Sequence, residues 1–94
     1  MTPLWKDPDA VVDYTVNWGD GYLEPDETLA TSEWLIEPTE QDGLVKDSDS
    51  NDPTSTTAFF SGGVRGHVYR VTNRIATSAQ RTDDRTIVIR VGQR

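Results

Sequence analysis

The chain contains no cysteine. No disulfide can staple it, and neither a thiolate metal site nor a cysteine nucleophile is available. Histidine is nearly absent as well, with His67 standing alone. Long apolar runs are missing. No stretch approaches the roughly 18 residues that a membrane helix needs, and the opening "MTPLWKDPDA" has no apolar segment of signal-peptide length. These absences give the expectation of a soluble, unprocessed protein made in a reducing cytosol. Hydrophobic residues make up only 34% of the chain, low for a globular domain. With 94 residues, one domain with a thin core and little room for a deep catalytic pocket is expected. The three Trp, three Tyr and two Phe must then supply much of the burial.

Basic residues are scarce in one part of the chain and concentrated in the other. Residues 1–60 carry only Lys6 and Lys46 against fourteen acids, for a charge of −12, whereas residues 61–94 carry seven arginines against Asp83 and Asp84, for +5. The net −7 argues against uniform binding to nucleic acid or to an anionic membrane, both of which repel such a chain. The basic part uses arginine alone, the side chain suited to planar, two-pronged pairing with carboxylates.

Helical periodicity is also lacking; what is present is alternation. In "VVDYTVNW" Val12, Tyr14, Val16 and Trp18 share one parity, and Val11, Asp13, Thr15 and Asn17 the other, which predicts a half-buried strand. "TLATSEWLIE" predicts a second, with Ala30, Ser32, Trp34 and Ile36 inward and Thr31, Glu33, Leu35 and Glu37 outward. "LVKDSD" reads as a short, weak strand, "SNDP" as a turn and "TSTTAFF" as a strand rich in β-branched and aromatic residues, ended by "SGG". A long strand runs from about Val68 to Ala76. "TSAQRTDD" is a hairpin loop and "RTIVIRV" the last strand. Pro3 and Pro8 predict an irregular arm over residues 1–10, leaving 11–94 as a single domain. Six to seven short strands with turns between them predict an all-β fold: a small antiparallel β-sandwich, immunoglobulin-like in shape.

Candidate chemistry is sparse. Asp47, Asp49 and Asn51 have the one-three-five spacing of an EF-hand loop, but position six is Asp52 and position twelve is Ala58, so the pattern fails where glycine and a bidentate glutamate are needed. A solvated turn accounts for it better. The acids of "DPDAVVDY" and "EPDE" lie in proline-containing segments where both members of a pair stay ionised, so they read as an acidic surface rather than a catalytic pair. Ser61 and His67 lack a nucleophile elbow, and "SGGVRG" lacks the Lys-Ser/Thr of a phosphate loop. No catalytic, cofactor-binding or metal residues are therefore predicted.

Two groups remain as candidate partner-binding residues. Leu4, Trp5 and Lys6 lie in the arm. An exposed Leu-Trp pair there is a plausible anchor for a neighbouring subunit, while folding back over the sandwich end explains it equally well. Arg70, Arg74 and Arg90 share a face if the last two strands pair in the expected register. They either form cross-strand ion pairs with acids such as Glu33 and Glu37, or meet an acidic partner or the acidic part of a second copy.

Several stretches together resemble a group of small bacteriophage and prophage proteins: "KDPDAVVDYTVNW", "TLATSEW", and "SGG" followed by "YRVTNRIATSAQRTDDRTIVIRV". The resemblance spans nearly the whole chain. It implies a virion structural component, in particular a fibre-to-tail adaptor, with no enzymatic activity and no cofactor. Its partners would be other phage structural proteins of tail, neck or fibre, or the protein itself. It would be made in the host bacterial cytoplasm and carried in the virion. A capsid head decoration protein and a carbohydrate-binding or adhesion module are the alternatives. The latter needs an exposed aromatic platform from Trp18 and Trp34.

Overall fold

The alternating runs become strands wherever one parity can be buried. The computed structural model describes residues 4–92; residues 1–3 of the expected arm, Pro3 included, and residues 93 and 94 of the expected domain lie outside it. Seven strands follow one another: β1 (Leu4–Lys6), β2 (Val12–Asn17), β3 (Leu29–Glu37), β4 (Leu44–Asn51), β5 (Ser55–Gly62), β6 (Val68–Thr77) and β7 (Thr82–Val91). They form two sheets, a four-stranded one in the order β1-β7-β6-β3 and a three-stranded one in the order β2-β5-β4. All pairings are antiparallel except that of β1 with β7. The described chain is thus an all-β sandwich without helices.

The core lies between the sheets. Trp18, Val16, Ala58 and Phe60 from the three-stranded sheet meet Trp34, Tyr69, Val71, Ile75, Ile87, Ile89 and Val91 from the other. Trp34 packs edge-on against Phe60, with ring centroids 5.7 Å apart, and Trp18 against Tyr22 at 5.2 Å. Each such large side chain, fully buried, contributes roughly 1.5–3 kcal/mol, so a handful of aromatics compensates for a poor aliphatic complement.

A polar centre sits inside this core. Asn73 of β6 is fully buried. Its Oδ1 accepts hydrogen bonds from Trp18 Nε1 at 2.9 Å and Thr56 Oγ1 at 2.7 Å. Its Nδ2 donates to Ser32 Oγ at 2.9 Å and to the Glu33 carbonyl at 3.1 Å. One amide therefore ties β6 to β3 within its own sheet and to β5 and the end of β2 across the core. Its partners lie on strands and on Trp18 beside β2.

Four boundaries differ from expectation. Residues 4–6 of the expected irregular arm form β1, in register with Ile89, Arg90 and Val91 of β7; Pro8 falls just beyond it and blocks nothing. In β3 a register shift between Leu29 and Thr31 inverts the parity, so Leu29 is buried and Ala30, expected inward, is exposed. β4 continues through Ser50 and Asn51, which were expected in a turn. It is an edge strand whose backbone pairs with β5, and it needs no buried side chains to do so. β7 begins at Thr82 rather than after the two aspartates, because Asp83 and Asp84 pair with Ile75 and Arg74. Of "SGG", Ser61 and Gly62 still belong to β5; just past it glycine is required, since Gly63 has φ +103° and a Cβ there would lie 2.6 Å from Val91 Cγ2.

Candidate functional site

The outward face of the four-stranded sheet gathers most of the predicted partner-binding residues. Strand register stacks it in rungs. Trp5, Arg90 and Val68 form the first, and Val88, Arg70 and Glu37 the second. Thr86, Thr72 and Leu35 follow, then Asp84, Arg74 and Glu33. The three arginines thus share one face, as the alternation predicted. Trp5 is half exposed, and Leu35 and Val68 are exposed.

The arginines are not equivalent. Arg74 donates from Nε and Nη2 to the two carboxylate oxygens of Asp84, at 2.9 and 3.1 Å, and lies 3.9 Å from Glu33. These bonds hold the Asp84 carboxyl below the usual carboxylate range and push the Arg74 guanidinium up. For Arg74 the cross-strand ion-pair reading is the observed one. Arg90 instead places its guanidinium 5.3 Å from the Trp5 ring centroid, a cation–π contact. Arg70 stands opposite Glu37 in register without closing an ion pair among the described residues.

The arm residues divide in the same way. Trp5 is held in place: a Cβ added at Gly92 would lie 2.9 Å from its ring. Leu4 is exposed at the sheet edge. Lys6 is not presented to a partner at all. Only 1% of it is exposed, and its ammonium donates to the carbonyls of Gly62 at 2.7 Å, Asp7 at 2.9 Å and, more weakly, Pro8 at 3.5 Å. Burial lowers its pKa, with Asp7, Asp9 and Asp47 opposing. The physical reason is parity: with Trp5 outward, Lys6 must point inward, and its three donors find carbonyls there.

Two polar clusters at the sandwich ends were not foreseen. Buried Glu27 accepts from Arg81 through both oxygens, from Thr77 Oγ1 at 2.5 Å and from the Glu24 amide at 2.9 Å. These bonds, Arg81's first, bring its pKa down to about 2. Arg81 also covers the Tyr22 ring at 4.5 Å. The partners are far apart in the chain and nothing in local sequence links them. At the other end, Tyr69 Oη accepts from the Val64 amide at 2.9 Å and donates to Glu40, which also meets His67 Nδ1 at 3.0 Å. The bonds from His67 and Tyr69 lower the Glu40 pKa.

Sites weighed from sequence are not assembled. Ser61 donates to Asp47 while His67 faces Glu40. Asp47, Asp49 and Asn51 lie along β4 rather than around a loop, and no group of three His, Asp or Glu among the described residues is placed to hold a metal ion. Trp18 and Trp34 are buried.

The chain is therefore a small β-sandwich whose outward sheet face combines half-exposed aromatic and aliphatic side chains with arginines, the composition typical of protein interfaces. Its sequence matches, over residues 6–90, the model of the Gp77 family, described as podophage GP4 fiber-tail adaptor protein gp77. The match covers most of the chain, and the protein belongs to that family. A comparison with curated proteins found no match.

Proposed function

We propose that this protein is a non-enzymatic structural component of the phage virion, made in the host bacterial cytoplasm, that joins the tail or neck to fibres or other appendages. The observation that carries this reading is the rung of Trp5, Arg90 and Val68 with neighbouring Arg70: three apolar side chains, counting Leu35, lie among two guanidinium groups without carboxylate partners. Trp and Arg are the residues that most often dominate binding energy at interfaces. The family description supports the fibre–tail junction over head decoration. Burial of Trp18 and Trp34 removes the aromatic platform that a carbohydrate module would use.

The fold reading deepens in the same direction. Strand orders β2-β5-β4 and β7-β6-β3 are those of the B-E-D and G-F-C sheets of an immunoglobulin sandwich. Trp34 occupies the buried tryptophan position of strand C. Tyr69, bonded back to Val64, reproduces the tyrosine corner at the start of strand F. Such sandwiches serve as rigid frames for protein contacts.

The test is complementation. Phage lacking the protein would be supplied in trans with wild type or with Arg70→Glu/Arg90→Glu, and fibre content of purified particles measured. The charge-reversed protein should fold, fail to enter particles and leave them without appendages. Normal incorporation and fibre content would overturn the reading.

A further inference from the structure

The opposite outward face, that of β2, β5 and β4, carries a second patch. Phe59 stands between Asp13 of β2 and Ser48 of β4. Val45 lies opposite Ser61, and Val11 immediately precedes β2. Val11 is 62% exposed, Val45 51% and Phe59 42%. Of the seven exposed large hydrophobics among the described residues, these three lie on this face and three others, Trp5, Leu35 and Val68, on the opposite one; Leu4 lies at the edge. The two patches differ in charge. Asp13 and Asp47 flank the first, Asp47 being turned onto that face by its bond from Ser61 at 2.8 Å. Nearby Lys46 is taken up by Asp49 at 3.2 Å. Arg70 and Arg90 punctuate the second.

We infer that the Val11/Val45/Phe59 face of one copy docks on the Trp5/Leu35/Val68 face of the next, so that the protein associates with itself head to tail. Sheets stack face to face about 10 Å apart when both surfaces are apolar at the centre. Here each surface supplies three large apolar side chains; the first adds the carboxylates of Asp13 and Asp47, and the second adds the guanidinium groups of Arg70 and Arg90, with Glu37 beside Arg70. The first face is not complementary to itself, because aspartate would meet aspartate, and the arginines that answer its charge lie on the other face. The contact is therefore heterologous, and heterologous contacts build rings when the rotation closes and filaments when it does not. Like-charge exclusion also sets the direction of stacking. The inference rests on the reading of the arginine face as a protein contact and names its occupant as a second copy.

The experiment is sedimentation of the full chain over a concentration series, at low and high salt, with two single-face variants. Phe59→Asp blocks the acidic face, and Arg70→Glu/Arg90→Glu blocks the basic one. Circular dichroism confirms that each variant folds. Wild type should form oligomers that salt weakens, and each variant alone should be a monomer. An equal mixture should double in mass and stop there, because each variant retains the one face the other lacks. Wild type that stays monomeric at every concentration, or a mixture that stays monomeric, would overturn the inference. If such a monomeric protein still required Arg70 and Arg90 to enter particles, the adaptor reading would stand and the arginine face would belong to a different subunit.

Discussion

Replacing Asn73 with leucine is predicted to be among the most damaging single changes in the protein. Leucine has the same number of side-chain heavy atoms as asparagine and a similar branched shape, so the perturbation is chiefly chemical. It removes the acceptor of Trp18 Nε1 and Thr56 Oγ1 and the donor to Ser32 and the Glu33 carbonyl. Trp18 and Thr56 are both essentially inaccessible to water. A buried donor left without a partner costs about 1–3 kcal/mol. The Thr56 hydroxyl can rotate to recover part of its share, but the indole N–H cannot. The expected loss is about 2–5 kcal/mol, a large fraction of the roughly 5–15 kcal/mol available to a small domain. At about 4–8 °C per kcal/mol for a domain of this size, the melting temperature should fall by more than about 8 °C. Urea titration followed by tryptophan fluorescence measures the loss in free energy, and thermal melting the fall in temperature. A double-mutant cycle with Trp18→Phe isolates the shared bond, and the two losses should be strongly sub-additive. A loss under about 1 kcal/mol, or full additivity, would refute the claim that this amide links the two sheets.

Other expectations follow from the ends and edges of the sandwich. Tyr69→Phe removes the bond from the Val64 amide and should cost about 1–3 kcal/mol, read by thermal melting. Lys6→Met keeps the apolar stem but deprives three carbonyls of their donor. Hydrogen exchange should accelerate at the Gly92 amide, which donates to the Lys6 carbonyl at 2.9 Å, while Val71 and Ile75 stay protected. Glu27, Glu40, Asp52 and Asp84 all have pKa values below their unfolded ones. The unfolded chain therefore takes up protons first as acid is added, and stability present above the ordinary carboxylate range is lost as pH falls toward the folded values. For Glu27 that window runs from 4.5 down to about 2. Glu27→Gln should lower stability at neutral pH and flatten the acid limb of a stability–pH curve.

Parity was the most legible part of the sequence. Val12, Tyr14, Val16 and Trp18 do turn toward the core, and Arg70, Arg74 and Arg90 do share the opposite side of their sheet, because side chains alternate strictly along a strand. Parity fails where the backbone inserts a residue. Nothing in "TLATSEWLIE" marks the irregularity between Leu29 and Thr31, so the reversed roles of Leu29 and Ala30 were hidden. It also says nothing about strands that bury little, and the acidic run "KDSDSN" extends β4 by backbone pairing alone. The candidate face was half legible: its arginines followed from alternation, but the pairing of Arg74 with Asp84 depended on where the hairpin turned. Lys6 was misjudged because a charged residue near a terminus reads as exposed unless the strand carrying it is known to pair. The Glu27–Arg81 pair joins elements remote in the chain, and only the fold brings them together.

The central claim is that the Trp5/Arg70/Arg90 face meets another protein in the virion. A photo-crosslinking amino acid placed at Val68, between Arg90 and the sheet's end, tests it in intact particles, with Asp20 in the loop after β2 as the control position. The account predicts adducts to a virion protein from position 68 and few from position 20. Efficient incorporation with no adduct from position 68 would contradict it.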